Sequence, residues 1–184
     1  MAALTLDQLR KIMSNLPRPK AELYLQPLND AMEEAGVNTK PRQAAFLAQY
    51  AHETVELHYL EEIASGDAYE PTSKDPGAQR RAHRLGNTQP GDGRRFKGRG
   101  LPQLTGRANY QACGDDLGAD FISHPELAAT PEWAFKVGTW YWNLKHLNDW
   151  ADKGDFLKIT LLINGGYNGL ESRKKYFNRC QQVL

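Results

Sequence analysis

Cysteine is scarce: Cys113 and Cys180 are the only two in 184 residues. Two thiols cannot build a disulfide framework or a four-ligand zinc site alone, and free cysteines behave as small buried residues. Long apolar runs are missing too. None nears the roughly 18 residues of a membrane span, so no stable membrane insertion is expected. The amphipathic start, Met1 to Asn15, lacks an apolar block ending in a small-residue cleavage site and reads as carrying no secretory signal. Repeats and low-complexity tracts are absent. With 40% hydrophobic and 24% charged residues, the chain reads as one globular domain spanning 1–184.

Several kinds of chemistry are excluded by spacing. His52 precedes Glu53, but the next histidine is His58, about 240° further round a helix, where a helical zinc hydrolase needs its second histidine on the same face. His83, His124 and His146 show no ligand spacing, so neither a metal nor another cofactor is expected. Gly98-Arg99-Gly100 lacks the ending of a phosphate loop, and no Gly-x-Ser-x-Gly elbow occurs.

The net charge of +1 hides an uneven spread: residues 1–79 carry −5, residues 80–107 carry +7 and residues 108–184 carry −1. A positive stripe attracts polyanions. Nucleic acid is not the expected partner, because the charge is confined to one irregular stretch rich in neutral amides.

Helical periodicity organises the rest. Leu4, Leu6, Leu9 and Ile12 predict a first helix that ends before Pro17, and Leu23 to Met32 predict a second closed at Gly36. Pro41 is placed to open a third, rich in small apolar residues. From Ser65 to Gly100 periodicity fades, predicting a long irregular lobe with a short hairpin around Gln89 to Gly93. Helical texture returns near Thr105. A buried helix is predicted over 134–147, one capped by Asp155 through Ile163, and a last from about Leu170 to Val183. The fold class is mainly α with a loop-rich or small β-hairpin lobe.

Glu53 falls where the third helix should end. A carboxyl desolvated there would have the raised pKa of a general acid. Glu56 is one turn on, too close to leave a water between the two carboxyls. Glu62, nine residues on, would lie on the opposite side of a continuous helix, so a shared site requires the chain to turn after about Leu57. Carboxyls about 6.5–9.5 Å apart suit inverting glycoside hydrolysis, and about 5–5.5 Å suits retention. The segment Phe96 to Tyr110 combines close-approach glycines with neutral donors and acceptors on Gln103, Thr105 and Asn109 and the aromatic Tyr110, a mixture suited to sugar hydroxyls and their apolar faces.

These blocks resemble glycoside hydrolase family 19, the chitinase-like family that includes many bacteriophage endolysins. Four match in order: Ala45 to Thr54, Gly98 to Tyr110, Ile163-Asn164-Gly165-Gly166, and Arg173 to Cys180. Leu85-Gly86-Asn87-Thr88 and Asn168-Gly169-Leu170 look more like the phage and bacterial branch than the plant enzymes. Pro71 to Arg84 looks like an insertion. The resemblance implies a lysozyme-like fold, an inverting mechanism with Glu53 as acid and Glu62 as base, and Glu61 as a rival for the base. It implies that Thr105 helps hold the attacking water, and that Thr54, Gln103, Asn109, Tyr110, Asn164 and Arg173 are substrate-binding positions. It leads to an expected monomeric endolysin that cleaves β-1,4 bonds of peptidoglycan, without a separate cell-wall-binding module. Such a protein is expected in the host cytoplasm until a holin releases it to the wall. A chitinase, and then a carbohydrate-binding relative without catalysis, are the alternatives.

Overall fold

The structure, a computed structural model, describes residues 3–184; Met1 and Ala2 of the amphipathic start lie outside the described residues. Ten α-helices occur among these residues: α1 (Leu6–Ile12), α2 (Arg18–Glu34), α3 (Lys40–Glu53), α4 (Pro76–Arg84), α5 (Asp92–Arg95), α6 (Arg107–Leu117), α7 (Pro131–Leu144), α8 (Leu147–Asp152), α9 (Phe156–Asn164) and α10 (Leu170–Val183). No helix among them is long and apolar enough to cross a membrane. The chain divides into two compact units, residues 1–58 with 138–184, and residues 59–137.

Local signals set the helix ends of the first unit. Thr5 and Gln8 form a capping box at α1. Pro41 lies in the first turn of α3, where its missing N–H costs nothing. Asp155 caps α9 by accepting from the Lys158 amide. Nine consecutive residues of α3, Gln43 to Ala51, are buried, which explains its run of alanines: small side chains let neighbouring helices close in on every side. Phe46, Tyr50 and Trp142 pack as edge-on and tilted rings with centroids 4.5 to 6.4 Å apart. The buried Tyr50 hydroxyl donates to Gly138 O at 2.9 Å, and Trp142 Nε1 donates to Asn148 Oδ1 at 2.9 Å, so neither polar tip is left unmatched. Cys180 is buried here and Cys113 in the other unit, both as free thiols. Burial pushes each thiol up to about 12, so both are inert at neutral pH.

The second unit corrects two readings of the sequence. The stretch from Ser65 to Gly100 is not irregular throughout, because it holds a helix over Pro76–Arg84. Asp75 accepts from the Gly77 and Ala78 amides, Pro76 occupies the first turn, and α4 follows. The hairpin at Gln89 to Gly93 is also absent. The buried Asp92 carboxylate accepts from the Thr88 and Gln89 amides and pairs with Arg107 at 2.5 Å, which gathers the segment into α5. Burial raises the Asp92 pKa, but Arg107 and the two amides outweigh it and leave the carboxyl below its usual range. Strand structure among the described residues is limited to two isolated bridges, Glu61 with Arg99 and Arg99 with Leu104.

Candidate active site

In the first unit the candidate acid sits at a helix end and is gripped from behind. Glu53 is the last residue of α3, and its side chain is 27% exposed. Arg173, on α10 and only 1% exposed, donates from Nη2 to Glu53 Oε1 at 2.5 Å, from Nη1 to Gln49 Oε1 at 2.5 Å, and from Nε to Asn168 O at 3.3 Å. Gln49 lies one turn before Glu53 on the same face of α3, and its Nε2 donates to Thr160 Oγ1 at 2.8 Å. One guanidinium thus fixes Glu53 while its buried charge is matched, which a charge without partners could not be. His52 packs its ring over Gly169, whose φ is +72°; a Cβ there would come within 2.2 Å of the ring. Its Nδ1 lies 3.0 Å from Ser172 Oγ. Burial, and then Arg173, lower the His52 pKa against the opposing pull of Glu53.

The chain turns immediately after Glu53, four residues before the sequence required. Val55, Glu56 and Leu57 adopt left-handed backbone, with φ of 50°, 58° and 60°. Side chains without glycine's freedom resist this region by roughly 1–2 kcal/mol each. Thr54 supports the turn: its hydroxyl donates to Tyr50 O at 2.7 Å and accepts from the Leu57 amide at 2.8 Å. Glu56, 3% exposed, anchors it by accepting from the Asn15 amide at 2.6 Å, Asn15 Nδ2 at 3.2 Å and the Tyr176 hydroxyl at 2.8 Å. Burial and Glu56 push the Tyr176 hydroxyl up to about 12. Thr54 is therefore spent on the backbone, and the expectation that it binds substrate is corrected.

In the second unit two adjacent carboxylates occupy opposite chemical settings. Glu61 Oε1 is shared by Lys97 Nζ at 3.0 Å and Arg99 Nη2 at 3.1 Å. The Glu62 carboxylate is held by neutral donors, Oε2 accepting from the Gly98 amide at 3.0 Å and Oε1 from the Tyr69 hydroxyl at 3.2 Å, while Lys97 Nζ donates to the Glu62 backbone carbonyl at 3.1 Å. Burial, and then Glu62, raise the Tyr69 pKa, as expected of a phenol held protonated against a carboxylate. The Glu62 amide also donates to Gly98 O at 2.8 Å, so residue 62 is clamped to the glycine loop by backbone and side chain together. Gly98 is required by close approach: a Cβ there would lie 2.6 Å from Gln103 Oε1.

The remaining expected residues fall into distinct classes. Thr105 is half-buried and donates to Gln103 O at 3.1 Å, which leaves its oxygen free to accept. Gln103 and Asn109 are exposed, and Asn109 Nδ2 donates to Thr105 O at 2.7 Å. Asn164 ends α9, with Nδ2 buried and lacking a hydrogen-bond partner. Tyr110 is a correction. It is 0% exposed, its hydroxyl donates to Lys97 O at 2.7 Å, and it therefore offers no face to a sugar. Gln49, Glu56 and Tyr69 escaped the sequence reading because nothing local reports the partners that packing brings to them.

Comparison with known proteins identifies the family. The chitinase class I family model matches residues 30–152. A glycosyl hydrolase family 19 domain-containing protein of Haemophilus influenzae is 32% identical over 173 residues, covering 83% of this chain and 84% of that one. An Arabidopsis thaliana endochitinase is 34% identical, covering 77% of this chain but 47% of its own length, so the chain spans about half of that plant relative. Among solved structures, chitinase C of Streptomyces griseus HUT6037 aligns with a TM-score of 0.76 at 26% identity, covering 98% of this chain and 76% of that one. By these matches the chain belongs to glycoside hydrolase family 19 and is a glycoside hydrolase of mainly α, lysozyme-like fold.

Proposed function

We propose that the protein is an endolysin that hydrolyses the β-1,4 glycosidic bonds of bacterial peptidoglycan with inversion, and that it lyses a host cell from within. The observation that carries the chemistry is the contrast between Glu61 and Glu62. A general base must take a proton from water, and a carboxylate engaged by two cations is poorly placed to do so. Glu62, held by an amide and a phenol, keeps lone pairs for that water. Glu53, half-buried at the helix end and held through Oε1 by Arg173, delivers the proton to the leaving oxygen from its other oxygen. Thr105 accepts the second hydrogen of the water and aims its oxygen. The product of a β-linked glycan is then the α-anomer.

The phage-like Leu85 to Thr88 and Asn168 to Leu170 blocks support the peptidoglycan reading. Chitin hydrolysis is the second reading, favoured by the endochitinases at 34–38% identity among the relatives. Mass spectrometry of fragments released from purified sacculi, run beside chitin oligomers, decides between them. Muropeptides with intact stem peptides and newly formed reducing ends support the endolysin. Cleavage of chitin alone assigns a chitinase.

A further inference from the structure

The positive stretch at residues 80–107 is mostly engaged by partners within the chain. Arg81 donates to Ala68 O at 3.0 Å and lies 3.4 Å from Asp75. Arg94 pairs with Asp67 at 2.7 Å, and Arg95 donates to Ile122 O at 2.9 Å. Lys97 and Arg99 share Glu61, and Arg107 holds Asp92. Arg80 and Arg84 are what remain. Both are exposed on α4 and make no hydrogen bond or ion pair among the described residues; Arg80 only adds to the field on Asp75, already engaged by two amides and Arg81.

These two arginines are four residues apart, so they stand on one helix face, about 5–6 Å apart at their Cβ atoms. Like charges at that spacing repel; Arg84, in the last turn, recovers part of this from the negative end of the helix, whereas Arg80 lies before that turn and does not. The opposite face, Ala78 and Ala82, is buried and holds α4 in place. Arg80 and Arg84 line a concavity with Gly77, Arg81 and His83. A guanidinium presents a planar fork of donors that matches a carboxylate in two-point contact.

We propose that the Arg80–Arg84 face of α4 is a docking surface for the carboxylates of peptidoglycan stem peptides, an exosite that favours charged glycan over neutral chitin. This rests on the peptidoglycan reading above and extends it to substrate selection. Charge complementarity selects the occupant: a neutral amino-sugar polymer has nothing to offer two uncompensated guanidinium groups, whereas each stem peptide carries carboxylates at intervals along the strand.

The test compares the wild type with Arg80→Gln/Arg84→Gln on three substrates: intact sacculi, sacculi whose carboxyls are blocked as amides, and soluble chitin oligomers. Cosedimentation with sacculi is measured separately from cleavage. Two exposed ion pairs should give the wild type a roughly 2- to 30-fold advantage in binding and in initial rate on intact sacculi at low salt. That advantage should shrink towards unity by 0.5 M salt and vanish on amide-blocked sacculi. Rates on chitin oligomers should match between the two proteins, as should their melting temperatures. Equal binding to intact sacculi overturns the exosite, as does equal loss on chitin. An advantage that disappears when phosphate polymers alone are stripped from the sacculi also overturns it, since the occupant is then a phosphodiester. Wild-type protein that binds sacculi through these arginines without cleaving them keeps the exosite and overturns the endolysin reading instead.

Discussion

Arg173 and Glu53 lie 120 residues apart in sequence and 2.5 Å apart in space. The same guanidinium holds Gln49, so α10 locks both the last turn of α3 and the carboxylate that ends it. Arg173→Ala would leave Glu53 and Gln49 facing a hole. Breaking a buried pair from one side costs about 3–5 kcal/mol, so a large fall in urea midpoint is expected along with loss of activity. Arg173→Lys keeps the charge but not the three-way fork, and should be intermediate in both. Glu53→Gln keeps an acceptor for Arg173, so the protein should fold with reduced stability while turnover falls about 10²–10⁴-fold. More than half of wild-type activity in folded Glu53→Gln would remove Glu53 from the role of acid.

The turn after α3 stores strain that Glu56 holds. Glu56→Gln would aim an NH₂ at one of three donors, and should destabilise by several kcal/mol through the mismatch. Val55 offers the converse test. It is 60% exposed, so Val55→Gly sacrifices little packing while relieving a left-handed β-branched residue. The relief of roughly 1–2 kcal/mol exceeds glycine's entropic cost of about 0.5–1 kcal/mol, so the variant should melt higher than wild type. A lower melting temperature would show that the turn is not strained at Val55.

The two glutamates at 61 and 62 should separate into structural and kinetic effects. Glu61→Gln removes the partner of Lys97 and of the buried Arg99, so its cost should fall on stability, with turnover within a few-fold of wild type. Glu62→Gln should lose about 10²–10⁴-fold in turnover with a near-normal melt. Tyr69→Phe, which frees one oxygen of Glu62, should lower turnover several-fold without abolishing activity, by roughly the worth of one hydrogen bond to a charged group. The reverse ranking of Glu61 and Glu62 would hand the base to Glu61.

His52 ties stability to pH. Its folded-state pKa lies below the unfolded value of about 6.5, because burial and Arg173 disfavour the imidazolium. The unfolded chain therefore binds the extra proton first. The contribution is complete above about pH 6.5 and is lost as pH falls through that value towards the lower folded one. Urea unfolding between pH 5 and 8 should show this loss, and His52→Gln should flatten it. An unchanged slope in the variant would assign the pH dependence to other groups.

Most helices were legible from their apolar spacing and from limits written locally, as Pro41 and Asp155 lie at the ends they mark. α4 was missed because only Ala78 and Ala82 face inward, so it has no apolar stripe; Asp75-Pro76 was its one visible signal. The supposed hairpin failed because Asp92 recruits Arg107 from fifteen residues away, which no turn rule reports. Glu53 and Arg173 were legible through motif resemblance, whereas Gln49 and Glu56 acquire their partners only when α10 and the N-terminal segment pack. Tyr110 misled because an aromatic among polar residues reads alike whether its ring faces a ligand or the core.

The water-holding role proposed for Thr105 makes the last prediction. Its hydroxyl proton goes to Gln103 O, so the oxygen can accept one hydrogen of the attacking water while Glu62 takes the other. Thr105→Val keeps the volume and removes that acceptor. A lost hydrogen bond of about 0.5–1.5 kcal/mol in the transition state corresponds to roughly a 2- to 13-fold fall in turnover, with KM little changed because the water is not part of the glycan contact. Stereochemistry supplies the independent check. Water directed by Glu62 attacks from the face opposite the leaving sugar, so proton NMR in the first minutes must show the α-anomer from a β-linked oligomer. Thr105→Val should slow this product without changing its configuration, since the residue aims the water and does not choose the face. An initial β-anomer would mean that a protein carboxylate attacks the sugar first, and both the base role of Glu62 and the water role of Thr105 would fall together.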